Sequence, residues 1–113
     1  MISFLTSLFK SFFQNYTKLS LKEVKNKLKN NYFDIIIDVR SEKEYNKGHY
    51  KNAINIPYRN IDSNINININ INTNSIILVY CRSGRRALKA IKKLHKLNYK
   101  NLYYIDFPYN YLN

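Results

Sequence analysis

Apolar residues come in two alternating rhythms along this chain. Short unbroken runs, FDIIIDV (33–39), SIILVY (75–80) and NLYYID (101–106), are rich in β-branched and aliphatic residues. Such runs mark strands buried on both faces. A shorter run, AINIP (53–57), reads as a further strand stopped by Pro57. Between the runs the spacing becomes helical. In LSLKEVKNKLKN (19–30), Ser20 and Glu23 form a capping box, and Leu21, Val24 and Leu28 share one face. After SIILVY, residues Ala87, Ala90, Ile91, Leu94 and Leu97 line one side of a helix, with Lys89, Lys92, Lys93 and Lys96 on the other. Strands alternating with helices predict an α/β domain built on a parallel sheet covered on both faces.

Two stretches break the pattern. In MISFLTSLFKSFFQNY, residues Phe4, Leu5, Leu8, Phe9, Phe12 and Phe13 recur at helical spacing among Ser, Thr and Lys. This predicts an amphipathic helix over 1–15, too interrupted to span a membrane and without the apolar run of a secretory signal. It suits packing on the domain or peripheral contact with a membrane surface. No acidic residue precedes Glu23, which keeps an organelle presequence open, although arginine is missing too. The Asn/Ile repeat over 63–74 alternates with period two, as a strand would. Its polar partner is almost always Asn, a poor strand former, so the segment is expected to be a low-complexity connection. A strand is the competing reading.

Composition narrows the function classes. A length of 113 residues fits one domain, over 16–113 once the amphipathic segment is set aside, and 45% hydrophobic content can fill its core. The formal net charge of +12 raises the question of nucleic acid. Lysines are spread over predicted helix faces and loops, and no nucleic-acid-binding motif accompanies them, so dedicated nucleic-acid binding is not expected. The charge would still attract small anions. A single cysteine excludes an internal disulfide and a thiolate-cluster zinc site, and fits a reducing compartment such as the cytoplasm.

That cysteine, Cys81, carries the candidate chemistry. It ends the SIILVY strand, at the carboxyl edge where open α/β sheets place ligands. The next residues, Arg82, Ser83, Gly84, Arg85 and Arg86, lead to a helix N-terminus whose N–H groups favour negative charge. Gly84 permits a tight turn, and three arginines add full positive charge. All of these favour a thiolate nucleophile. A small buried residue, the common fate of a lone cysteine, explains neither the arginines nor the position. A metal site is not expected, since His49 and His95 have no ligand spacing to Cys81.

Three motifs occur in order: Asp38-Val39-Arg40; Glu44-Tyr45-x-x-Gly48-His49 leading to Ala53-x-Asn55-Ile56-Pro57; and the Cys81 loop. Together they resemble the single-domain form of the rhodanese (thiosulfate sulfurtransferase) family, over roughly residues 16 to 106. The resemblance implies an open, mostly parallel five-stranded sheet flanked by helices, with a first strand near Tyr16–Leu19. It also implies sulfur transfer through a Cys81 persulfide, with no cofactor. A small anionic donor such as thiosulfate and an external thiol or cyanide acceptor would be the partners, and a monomer is expected. Arg82, Ser83, Gly84, Arg85 and Arg86 become the donor-binding loop, with Arg82 and Arg86 orienting the anion. Asp38, Arg40 and His49 become structural residues beside the site. Phosphatase and arsenate reductase relatives carry a loop longer by one residue, and Arg86 closes a Cys-x4-Arg loop of the sulfurtransferase kind. A binding or sensing module without turnover is the other alternative.

The chain departs from the family pattern at three places. Asn52 and Asn98 stand where glycine is usual, and Asn is the next best residue for a left-handed backbone. At the end, IDFPYNYLN replaces a Gly-Gly pair and a tryptophan, which puts the final helix and one wall of the site in question.

Overall fold

A computed structural model of the chain describes residues 16–65 and 69–113. The amphipathic segment 1–15 lies outside them, as do positions 66–68 of the Asn/Ile repeat. Five strands form one sheet: β1 (Tyr16–Lys18), β2 (Ile35–Asp38), β3 (Ile54–Asn55), β4 (Ile76–Tyr80) and β5 (Asn101–Tyr104), in the order β1-β5-β4-β2-β3. Every pairing is parallel, so the expected mostly parallel sheet is wholly so. The strand with the longest apolar run, β4, takes the centre, where both of its faces are covered.

Period-two alternation then sorts the core. Ile77 and Val79 of β4 and Ile37 of β2 pack on one side against α3 (Arg85–Lys96), through Ala87, Ala90, Ile91 and Leu94. Leu78 and Tyr80 of β4 and Ile36 of β2 point to the other side, against α1 (Leu21–Lys29) through Val24 and against Leu112 near the C-terminus. Cys81 continues the Ile77–Val79 row on the α3 side. Asp38 stands opposite Tyr80 in register on the other. That parity decides where each motif can act.

The Ser20–Glu23 capping box forms as the spacing predicted. Helix α2 (Glu42–Lys47) carries a second one, Ser41–Glu44. With six residues and none buried, α2 has no apolar stripe that could reveal it. Asn98 does adopt the left-handed backbone (φ 72°) just after α3, but Asn52 does not; Asn31 (φ 52°) is the other non-glycine residue to do so among those described. The flanks of the Asn/Ile repeat contain no strand among the described residues. Ile61, Ile65 and Ile71 instead pin the connection to the α3-side core. Asp62 and Asn72 side chains accept N–H bonds two residues on, which are turn contacts. The C-terminal stretch also has a defined place. Pro108 opens a 3-10 turn, Tyr109–Leu112, and Leu112 is buried on the α1 side. Among the described residues no helix is long and apolar enough to cross a membrane.

Candidate active site

The carboxyl ends of β2 and β4 are adjacent, and each ends in polar chemistry. At the β4 end the chain turns through residues 81–84 into α3. Gly84 caps that helix in the left-handed region (φ 95°) and has no side chain to offer its N–H groups. The sulfur of Cys81 takes that part: Sγ accepts from the Gly84 N–H at 3.0 Å and from the Ala87 N–H at 3.3 Å. Ala87 is the third residue of the helix, where a Ser or Asp cap would ordinarily bond. The loop therefore gathers N–H donors onto one sulfur, which is what a developing negative charge there requires. Cys81 itself is only 1% exposed.

Gly84 is required twice over. A Cβ there would lie 2.7 Å from Asp106 Cβ and 2.8 Å from its Cα, just after β5. The stretch that lacks the family's glycines thus passes directly against the loop, and Asp106 is part of its wall. Sequence reading did not identify Asp106, because only the closure of β5 beside β4 brings it there.

The arginines of the loop separate. Arg82 and Arg85 are exposed, as is Ser83, and neither arginine is in an ion pair among the described residues. Arg86 is half-buried and bonded through both guanidinium ends to Glu44, Nη1 to Oε1 at 2.6 Å and Nη2 to Oε2 at 3.0 Å. A donor anion would have to compete with that carboxylate. Arg86 holds the Glu44 carboxyl at about 2, well below its usual range, with the bonds from Ser41 adding to the effect. Glu44 in turn, with a lesser contribution from Cys81, pushes the Arg86 guanidinium upward. The pair ties α2 to the start of α3 across 42 positions of sequence. Glu44 stood in the sequence only as part of the second motif; the Ser41-x-x-Glu44 spacing could have marked a helix start, but nothing in the sequence points to this partner.

At the β2 end, Asp38 is fully buried and its charge is matched on every side. Arg40 donates through Nε at 3.0 Å and Nη2 at 2.7 Å, the Arg40 N–H adds a bond at 2.9 Å, and the Tyr80 hydroxyl donates at 2.8 Å. Burial works against charge on Arg40, but Asp38 outweighs it and pushes the guanidinium upward. Burial, with the bond to Asp38, drives the Tyr80 phenol strongly upward. The network extends from Arg40 Nη2 to the Gly48 carbonyl and from the Tyr50 N–H to the Tyr80 hydroxyl. Tyr109 covers it, its ring 5.0 Å from the Arg40 guanidinium and its hydroxyl so close to Gly48 that a Cβ would not fit. His49 stacks on Tyr45 at 3.6 Å and donates from Nδ1 to the Tyr45 carbonyl at 2.9 Å. Asp38 and Arg40 are thus bonded to each other at the end of β2, and His49 bonds through Nδ1 to the Tyr45 carbonyl.

A cleft of about 420 Å³ opens next to the loop, lined by Val39, Ser41, Tyr58, Arg59 and Arg86 among others. No group of three or more His, Cys, Asp or Glu side chains gathers as a metal set among the described residues.

This arrangement can be compared with known proteins. Residues 20–109 match the family model described as the rhodanese-like domain. A tRNA uridine(34) hydroxylase of Buchnera aphidicola is 34% identical over 92 residues, 79% of this chain and 29% of that protein. A putative mitochondrial thiosulfate sulfurtransferase of Schizosaccharomyces pombe is 32% identical over 78 residues, 60% of this chain and 55% of that one. The chain therefore spans under a third of the hydroxylase and about half of the yeast protein. Among solved structures, a rhodanese-like domain protein from Staphylococcus aureus superposes with a TM-score of 0.67 at 28% identity, covering 86% of this chain and 91% of the other. The motifs at the ends of β2 and β4, the all-parallel sheet and these matches agree: the chain belongs to the rhodanese-like domain family.

Proposed function

We propose that the protein is a sulfurtransferase that works through a persulfide on Cys81. The convergence of the Gly84 and Ala87 N–H groups on Sγ carries this reading. In the first half-reaction the Cys81 thiolate attacks the outer sulfur of thiosulfate. The S–S bond to the sulfonate breaks, sulfite leaves with the bonding pair, and a Cys81 persulfide anion remains. Its terminal sulfur would sit among the N–H groups of residues 82–86, whose fixed dipoles favour negative charge without reorganising. Arg82 and Arg85, exposed at the mouth, attract the donor, while Arg86 and Glu44 hold the far end of the loop in place. In the second half-reaction cyanide or an external thiolate takes the terminal sulfur and Cys81 departs as thiolate. No second cysteine can resolve the persulfide within the chain.

The hydroxylase relative shows this family's domain within a longer protein of another named reaction, so turnover has to decide the activity. The test is thiocyanate formation from thiosulfate and cyanide, run beside phosphate-monoester hydrolysis. The native chain is expected to form thiocyanate, Cys81→Ser none, and neither to release phosphate. Absent thiocyanate from folded, reduced protein would favour a binding module, and Cys81-dependent phosphate release a phosphatase.

A further inference from the structure

The acidic residues are not shared evenly between the two edges of the sheet. All the strands are parallel, so their amino ends point to one edge, opposite the Cys81 loop. The loops that lead into β2, β4 and β5 meet there. The Asp34 N–H donates to the Ile76 carbonyl at 2.8 Å, and the Lys100 N–H to the Thr73 carbonyl at 3.1 Å. Helices α1 and α3 pack on opposite faces of the sheet and both end at this edge, with Lys29 and Lys96 in their last turns. Lys29, Lys96 and Lys100 are exposed, and none is in an ion pair among the described residues. Asp34 is the one acidic residue in these three loops, and its carboxylate accepts the Ile76 N–H at 2.7 Å. Glu23, Glu42 and Glu44 lie instead at the carboxyl edge, in the first turns of α1 and α2, and Asp106 follows β5 there. Residues 1–15 join the domain at the amino edge, at Tyr16, whose ring centre is 6.2 Å from that of His95 in the last turn of α3. At helical spacing, Phe4, Leu5, Leu8, Phe9, Phe12 and Phe13 fall in one half of the circumference. The other half is rich in Ser and Thr and holds one charge, Lys10.

We propose that this edge docks on anionic lipid surfaces, with the apolar half of residues 1–15 entering the headgroup boundary and Lys29, Lys96 and Lys100 meeting lipid phosphates. The two parts need each other. Surface binding of an amphipathic segment grows with its buried apolar area and with its attraction to anionic lipid. Residues 1–15 supply the area, over about 22 Å at helical rise, but only one cation. The lysines of the edge supply the charge, which acts within about 8 Å at physiological salt and so requires the edge to be held at the surface. A nucleic acid would use the lysines but has no use for six large apolar side chains, so the segment favours lipid. In this orientation the Cys81 loop faces away from the membrane. Strand β4 is five residues long, which sets the loop about 16 Å from the docked edge. A small donor then reaches Cys81 from solution without crossing the lipid.

The test is sedimentation of the full chain with vesicles of phosphatidylcholine alone and of phosphatidylcholine and phosphatidylglycerol in equal parts. The native chain is expected to bind the mixed vesicles about tenfold more tightly, a preference that shrinks as salt rises. Lys29→Glu with Lys96→Glu is expected to abolish that preference. Lys22→Glu with Lys43→Glu makes the same change of charge in the first turns of α1 and α2, at the opposite edge, and is expected to keep it. Should the first pair unfold the chain, Lys29→Gln with Lys96→Gln reads the same loss in smaller measure. Phe9→Ser with Phe12→Ser is expected to release the chain from both kinds of vesicle. The chain has no tryptophan, so Phe9→Trp reports insertion directly, and its emission should shift to the blue on mixed vesicles. A native chain that binds neither vesicle, or both alike, overturns the proposal. Equal loss from the two pairs of glutamates would reduce the effect to net charge and overturn it too, as would a Phe9→Trp emission that vesicles leave unchanged. Binding to single-stranded RNA at physiological salt, with none to either vesicle, would overturn it and assign the edge to nucleic acid.

Discussion

The ends of β2 and β4 are neighbours in one sheet, yet they treat charge in opposite ways. At β2, Asp38 and Arg40 face each other at 2.7 Å, with Tyr80 and a main-chain N–H completing the set, all of it buried. At β4, main-chain N–H groups converge on a sulfur while Arg82 and Arg85 stand in solvent without ion-pair partners among the described residues. Parity of the strands separates the two. Asp38 and Tyr80 are register partners on the α1 side, and Cys81, one residue on, points to the α3 side. A site whose charges are already matched can hold structure but has nothing left for a ligand. A site whose donors converge without a full countercharge can take an anion.

Removing the charge of Asp38 should break the β2 end most severely. Asp38→Asn leaves Arg40 buried with no countercharge, which costs about 3–5 kcal/mol in comparable buried pairs. Thermal or urea unfolding should register that loss, whereas persulfide formation per folded molecule should change little. Gly84→Ala should act the other way round. A Cβ against Asp106 in a left-handed turn costs about 1–3 kcal/mol, and the displaced loop N–H groups should slow persulfide formation by more than the stability loss explains. Stopped-flow loading with thiosulfate checks this, and an unaltered loading rate would show that the loop tolerates the change.

The smallest effect belongs to the Glu44–Arg86 clasp. Its side chains are 34% and 30% exposed, so solvent screening limits Glu44→Gln to roughly 0.5–1 kcal/mol. The sign with pH follows from the carboxyl being held at about 2 against an ordinary 4.5. The clasp contributes fully above the ordinary value and is lost as pH falls from there through about 2. Unfolding of native and Glu44→Gln protein should therefore differ at neutral pH and converge in acid. A constant difference across that range would remove the clasp from the account.

How far these features were legible depends on their reach along the chain. Cys81, Gly84 and the start of α3 lie within a few residues, so strand run, glycine and helix face announced the loop together. The α1 capping box was equally local. Glu44 and Arg86 are 42 residues apart, as are Asp38 and Tyr80, and only the closed sheet pairs them. Helix α2 is too short and too exposed to leave an apolar period. Asn52 and Asn98 both stand where the family usually has glycine, but only Asn98 adopts the left-handed backbone. The C-terminal wall could not be read from IDFPYNYLN, since the placement of Asp106 on Gly84 and Tyr109 over Arg40 comes from β5 docking beside β4.

The central claim is that the loop stabilises a second sulfur on Cys81, and intact-protein mass spectrometry after brief exposure to thiosulfate tests it most directly. The native chain should gain the mass of one sulfur atom, lose it again on addition of cyanide or a thiol, and Cys81→Ser should gain nothing. A folded, reduced native chain that gains no mass, or a Cys81→Ser chain that gains as much, would contradict the account.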